Sequence, residues 1–148
     1  MNIKKQKFVD IPIFELTSFT LYELNTLGLE TIMKGDSAIR YENRYTVSNI
    51  DYTDNSKNYR ANMKAKKGLY KDEVIELNED VVYSREDGFT FKTNKAVYDK
   101  KTTIAVANTD FVSYRGDNSV QGSFVKYNNS LNRVESKNVT AIYKLEAR

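Results

Sequence analysis

The chain of 148 residues carries a net charge of +3 from 23 basic and 20 acidic side chains, and is 40% hydrophobic with a mean hydropathy of −0.63. That is the length of one ordinary domain, but so modest an apolar supply suits a core that is narrow or open on one side. Histidine, cysteine and tryptophan are absent. The commonest general base, the thiolate nucleophile, the disulfide and the Cys-type zinc site are therefore excluded, and charges of both signs, interspersed, argue against a nucleic-acid-binding face.

Residues 1–10 read as a flexible segment with a local basic cluster, Lys4-Lys5-Gln6-Lys7. No apolar run exceeds four residues, which excludes a membrane-spanning helix within the sequence. Pro12 opens an apolar-rich segment over residues 13–29. Phe19 and Leu21 alternate with Thr20 and Tyr22 as in a strand, while Leu16, Phe19 and Leu24 would also share one helical face; the enrichment in Thr, Phe and Tyr favours the strand.

Beyond this point a period of two dominates. Residues 41–52 read as short strands broken at Glu42-Asn43-Arg44 and followed by a polar loop at 54–58. Over residues 59–66, Tyr59, Ala61, Met63 and Ala65 alternate with Arg60, Asn62, Lys64 and Lys66, which describes a half-buried strand with one apolar and one cationic face. Strands are expected at 74–77, 81–83, 89–93 and 96–98. Turns are expected at Asn78-Glu79-Asp80, Glu86-Asp87-Gly88 and Arg115-Gly116-Asp117-Asn118, where Gly, Asp and Asn supply positive φ. A final strand is expected over 133–145. Short strands at this spacing predict an all-β sandwich, barrel or jelly roll.

The second half contains an internal repeat. Residues 91–114 align without a gap on 120–143, placing Tyr98 on Tyr127 and Tyr114 on Tyr143 at an offset of 29. Each copy is a strand ending in tyrosine, a polar turn and a second strand running to another tyrosine, which points to stacked antiparallel strands rather than a catalytic pocket.

Several motifs have plainer readings. Arg115-Gly116-Asp117 spells an adhesion tripeptide but fits a hairpin turn. Asn128-Asn129-Ser130 and Asn138-Val139-Thr140 match a glycosylation pattern too common to carry weight. Glu73, Glu76, Glu79 and Asp80 scatter across a strand and turn as a solvated edge rather than a metal or acid–base site. The eleven tyrosines and seven phenylalanines fit strand packing better than a base-stacking platform, with no phosphate-binding motif beside them. No metal, cofactor or nucleic acid is expected. A carboxylate-dependent glycan hydrolase would need two acids across one cleft, whereas the acids here lie mostly in turns.

From residue 70 onward the order of motifs is more specific. An apolar-x-Leu strand end (Ile75-Glu76-Leu77) is followed by a polar turn and a Val-x-apolar strand (Val81-Val82-Tyr83). An acidic-Gly hairpin (Asp87-Gly88) and a Tyr-Asp turn (Tyr98-Asp99) come next. Later, Val120-Gln121-Gly122-Ser123-Phe124-Val125-Lys126-Tyr127-Asn128 supplies a glycine-containing strand and a second such turn, with Asn128 in the usual place of aspartate. This set, with looser similarity upstream at residues 19–24 and 38–41, resembles the LptC family of lipopolysaccharide transport proteins over about residues 15–145. The soluble bridge subunit LptA shares the fold and is the nearest alternative.

The resemblance implies an open, twisted, V-shaped antiparallel β-jelly roll in the periplasm of a Gram-negative bacterium, tethered to the inner membrane by an N-terminal helix. Residues 1–12 are then expected to be a linker after an anchor missing from this sequence, and 13–148 a single periplasmic domain; a soluble member is the alternative. It implies a non-enzymatic carrier that takes lipopolysaccharide from an inner-membrane ABC transporter (LptB/LptF/LptG-like) at its N-terminal edge to an LptA-like bridge protein at its C-terminal edge. A structural envelope module without lipid cargo is the competing expectation. Reading each strand for its apolar side assigns lipid binding to Leu77, Val81, Phe89, Phe91, Ala96, Tyr98, Ile104, Val106, Val120 and Val125. The partner interface is assigned to Gly122, Val134, Val139, Ala141 and Tyr143.

Overall fold

A computed structural model describes residues 11–24, 26–28, 30–56, 59–128, 130–131 and 133–145. The basic cluster at 4–7 and all but the end of the expected linker lie outside these residues, as do Lys57 and Asn58 of the polar loop and Asn129 of the turn at 128–130. Among the described residues every regular element is a strand, in the order β1 (Phe14–Leu24), β2 (Glu30–Arg40), β3 (Tyr45–Asp54), β4 (Ala61–Lys71), β5 (Val74–Arg85), β6 (Thr90–Asp99), β7 (Ile104–Ala107), β8 (Phe111–Arg115), β9 (Asn118–Gly122), β10 (Phe124–Asn128), β11 (Arg133–Lys137) and β12 (Thr140–Ile142). All pairings are antiparallel and join one open sheet, the jelly roll that the sequence predicts.

The first six strands form a meander, and a line of irregularities crosses all of them. Cα pairing between β1 and β2 skips Ser18 and Asp36, pairing between β2 and β3 skips Gly35 and Asp36 opposite Asn49 and Ile50, and pairing between β3 and β4 skips Asn49 and Lys66. The register shifts on both sides of β5 at Glu79 and Asp80. Ser18, Asn49, Glu79 and Asp80 all take positive φ, between 48° and 67°. Each strand therefore bends at the same level, and the sheet creases into two leaves. Asn78-Glu79-Asp80 is accordingly not a turn: residues 74–85 are one continuous strand, and the turn-forming residues make a bulge that adds one residue to β5 relative to both neighbours. Residues 89–93 and 96–98 likewise merge into β6.

At β6 the sheet divides. Val97–Asp99 pairs with β7 in the first leaf, and Thr90–Thr93 pairs with β8 in the second. Beyond this fork the first leaf continues through β10 to β11, and the second through β9 to β12. The 29-residue repeat is the basis of this pattern. Strand β6 corresponds to β9 and β10 together, which cross the crease at Ser123; β7 corresponds to β11, and β8 to β12. Each copy is one long strand spanning both leaves and two half-strands, one per leaf. The expected single C-terminal strand over 133–145 is thus two strands divided at Asn138, whose φ is 55°, and they lie on different leaves. Arg115 and Asn118 pair across the β8–β9 hairpin with Gly116 at φ 59°, so Arg115-Gly116-Asp117 belongs to a turn.

The core sits on the crease. Ile50, Ala65, Leu77 and Val81 are its buried centre, against which Met33 and Met63 of the second leaf and Val47, Ile75 and Ala96 of the first leaf pack. Among the described residues no large side chain is more than 98% buried. The chain thus closes a thin core along the fold line and leaves the rest of both inner faces incompletely covered.

Candidate functional site

Two residues from the crease on either side, the inner faces present continuous rows of side chains fixed by register. On the second leaf the row runs Leu21, Met33, Tyr52, Met63, Tyr83, Phe91, Ser113, Val120, Ala141 through direct cross-strand pairs. On the first leaf it runs Phe14, Arg40, Tyr45, Tyr70, Ile75, Tyr98, Ala105, Tyr127, Val134. Met33, Met63 and Ile75 of these rows touch the core, which establishes the inward face. Each row crosses nine strands, and at about 4.8 Å per strand the trough is about 38 Å long. Its lining is almost wholly apolar or aromatic.

The floor is the row at the crease. On the second leaf, Phe19 pairs with Gly35, Ile50 with Ala65, and Val81 with Thr93; Thr93 also pairs with Phe111, and Phe111 with Gly122. Both glycines lie under phenylalanine rings. A Cβ at Gly35 would stand 2.7 Å from Phe19 Cε1, and one at Gly122 would stand 2.8 Å from Phe111 Cε1 and 2.9 Å from the Lys137 carbonyl oxygen. Phe111 also stacks on Phe91, with ring centroids 5.5 Å apart. Thr93, the buried polar residue of this row, is satisfied by the Thr109 hydroxyl at 2.7 Å and the Asp110 carbonyl at 3.0 Å.

The walls become polar only at the mouth. Burial pushes the Tyr52 and Tyr83 phenols above the ordinary tyrosine value. At the second leaf's rim, Arg85 lies over the Phe89 ring at 4.6 Å and bonds Asp87 at 3.0 Å. The Phe89 backbone N–H, with Arg85 beside it, holds the Asp87 carboxyl below its usual range. The convex face is different in kind, carrying the ion pairs Lys66–Asp80 (3.1 Å), Lys67–Glu79 (3.7 Å) and Lys95–Glu76 (3.1 Å). Three of the four acids of that stretch, Glu76, Glu79 and Asp80, are thus paired with lysines, and among the described residues no three acids gather as a metal site.

Eight of the ten residues assigned to lipid from the sequence line the trough. Leu77, Ala96 and Val125 fall on the first leaf's floor, Val81 on the second leaf's floor, and Tyr98, Phe91 and Val120 on the walls. Phe89 stands at the mouth, edge-on to Tyr83 at 6.4 Å. Ile104 and Val106 are the exceptions. Val106 pairs with Val97 and Lys126, and Ile104 with Asp99 and Asn128, so both project from the convex face. The inward positions of β7 are Ala105 and Ala107; in Ile104-Ala105-Val106-Ala107 all four side chains are apolar, and nothing in the pattern distinguishes the faces. The sequence reading omits Met33, Tyr45, Tyr52, Met63 and Tyr70 from the site. The alternation of Ala61, Met63 and Ala65 signalled the inward face of β4, and the tyrosines follow from its register.

Of the residues assigned to a partner, Val134 lies on β11, which among the described residues pairs only with β10, and Ala141 on β12, which among them pairs only with β9. Val134, Val139 and Tyr143 are 60%, 47% and 65% exposed. Gly122 is not at an edge, since β9 lies between β8 and β12. At the opposite end β1 pairs, among the described residues, only with β2 and exposes Phe14, Leu21, Tyr22 and Leu24.

No helix among the described residues is long and apolar enough to cross a membrane. No curated protein matches the chain. The sequence model of the family described as "Lipopolysaccharide-assembly, LptC-related" matches residues 16–144, nearly the whole length, and the chain belongs to that family.

Proposed function

We propose that this member of the LptC family, whose membership places it in lipopolysaccharide transport, is a non-enzymatic carrier that holds the acyl chains of lipopolysaccharide between its two leaves. The observation that carries this reading is the trough itself. Two nine-strand rows of apolar and aromatic side chains face inward above a thin core in which no large side chain is fully enclosed. Acyl chains laid along such a trough leave water at about 25 cal/mol per Å² of apolar surface, without any need for a closed cavity. The lining offers no nucleophile–base pair and holds the hydrocarbon by shape alone.

The domain works in the periplasm as a connector. Strand β1 at one end of the sheet receives the inner-membrane ABC transporter, and β11 and β12 at the other receive an LptA-like bridge subunit, by extension of the sheet at exposed strands. The test is photo-crosslinking with lipopolysaccharide. A photoreactive residue at Phe91, Val120 or Tyr98 captures lipid, and one at Lys92 or Lys126 does not; equal capture at both sets overturns the reading.

A further inference from the structure

The two rims of the trough differ in a way that apolar burial does not require. On the second leaf the rim cation, Arg85, is committed to Asp87 at 3.0 Å. On the first leaf, Arg40 and Lys100 form no ion pair among the described residues. Each instead lies over a tyrosine of the wall: Arg40 Cζ is 5.2 Å from the Tyr45 ring centroid, and Lys100 Nζ is 5.5 Å from that of Tyr70. The two rings meet edge-on with centroids 6.2 Å apart. Arg40, Tyr45 and Tyr70 are consecutive in the inward row, so register places the group on the trough side. The nearest acid in sequence, Asp99, directs its carboxylate at the Lys101 and Thr102 N–H groups, at 2.9 and 3.3 Å, rather than at Lys100.

An aromatic face attracts a cation without neutralising it. The two positive charges are thus held in place at the mouth of an apolar trough with their capacity for charged hydrogen bonds unspent. Arginine and lysine together favour a phosphate oxyanion, the first through its fork of donors and the second as a point charge. The two phenols add hydroxyl donors beside them.

We infer that Arg40 and Lys100, backed by Tyr45 and Tyr70, form a phosphate subsite on the first leaf's rim, which takes a phosphate monoester borne by an acylated amphiphile. The subsite rests on the carrier reading, because the acyl part is what brings the phosphate to this rim. It also gives the cargo an orientation: the phosphorylated headgroup lies at the first leaf's lip, near the β2–β3 and β6–β7 ends, with the chains directed toward the crease.

The test compares three probes on the intact chain: diphosphorylated lipid A, the same lipid after phosphatase treatment, and inorganic phosphate. The R40Q/K100Q variant is set against K64Q/K66Q, which removes two charges from the convex face, and against the charge-preserving R40K/K100R. Loss of two charge-assisted contacts is expected to weaken binding of the phosphorylated lipid at least about tenfold in R40Q/K100Q. Binding of the dephosphorylated lipid should be unchanged, and K64Q/K66Q should bind both as the parent does. R40K/K100R should retain most of the preference for phosphate, and millimolar inorganic phosphate should displace neither lipid. Equal affinity of the parent chain for both lipids overturns the subsite while leaving the trough intact. A parent chain that binds neither lipid overturns both. Loss of both lipids alike in R40Q/K100Q, with an unchanged melting temperature, shows a role in shaping the trough and overturns phosphate recognition. Displacement by inorganic phosphate alone shows a site for free anions and overturns the amphiphile.

Discussion

Gly122 is the position with least room for change. Its missing Cβ would meet the Phe111 ring on one side and the Lys137 carbonyl oxygen on the other, at 2.8 and 2.9 Å. That carbonyl also accepts from Ser123 N–H at 3.1 Å, where the chain crosses between leaves. A ring can tilt, whereas a hydrogen-bonded carbonyl yields little. Gly122→Ala is therefore expected to destabilise by about 1–3 kcal/mol in urea denaturation, and by more than Gly35→Ala, whose close neighbours are all side-chain atoms. Gly122→Arg should fail to fold or fail to bind a bridge partner; an unchanged melting temperature together with unchanged pull-down would remove the case. The tyrosines make a second prediction. With no histidine or cysteine in the chain, no side chain titrates by its ordinary value between about pH 5 and 8, so stability should be nearly flat there. Burial raises the Tyr52 and Tyr83 phenols above the unfolded value. The stability linked to them is fully present below about pH 10 and is lost as pH rises through the raised folded values. Alkaline urea titrations should show that loss, and Tyr52→Phe with Tyr83→Phe should reduce its slope; an unchanged slope in the double variant would refute the assignment.

The bulge in β5 decides which residues of that strand face the trough. Its two positive-φ residues, Glu79 at 67° and Asp80 at 51°, carry β5 across the crease with Leu77 and Val81 four positions apart and both inward, where their partners in β6, Ala96 and Thr93, are three apart. A left-handed conformation costs a side-chain-bearing residue about 1–2 kcal/mol, and glycine escapes that cost. The ion pair of Asp80 with Lys66 is exposed and contributes about 0–1 kcal/mol. Asp80→Gly should consequently be close to neutral in a denaturation midpoint, while Asp80→Val, with a β-branched side chain forced to positive φ, should be clearly destabilising. Equal effects would show that the backbone there is not constrained. Deleting Asp80 removes the one residue that β5 has in excess of its neighbours and leaves Leu77 and Val81 three apart, the spacing of Ala96 and Thr93 in β6, so the deletion should still fold. The same bulge explains the limits of the sequence. Period-two alternation marks the strands and the 29-residue repeat marks a recurring strand-turn-strand unit, but not that each copy divides between the two leaves. Asn78-Glu79-Asp80, however, has turn chemistry whether the chain reverses or merely bends, and only neighbouring strands decide between the two. Likewise the all-apolar β7 had no face until Lys126 was paired with Val106. The half of the trough built from β2 to β4 went unassigned because the recognisable motifs begin at residue 70, although the alternation around Met63 was legible.

Across the whole molecule, the sheet never closes, and its two ends are unlike. At one end β1 runs unbroken past both leaves; at the other, the edge is shared between β11 on the first leaf and β12 on the second. A partner adding a strand at the C-terminal end must therefore choose one leaf or span the gap around Asn138. Such addition depends on backbone groups rather than side chains. Along β12 successive N–H groups point alternately toward β9 and away from it, so of Ala141→Pro and Ile142→Pro one removes an outward donor and the other breaks a bond to β9. If β12 is the docking edge, both should weaken capture of a purified LptA-like bridge subunit, but only one should also lower the melting temperature. A proline at Val134 or at Glu135 tests β11 in the same way. Lys144→Ala removes only an exposed contact to Asp117 at 3.3 Å and should leave capture unchanged. Deletion of 139–145 that spares bridge binding, combined with its loss on proline substitution in β11, would move the junction to the first leaf. Wild-type binding in all of these variants would place it away from the C-terminal edge altogether.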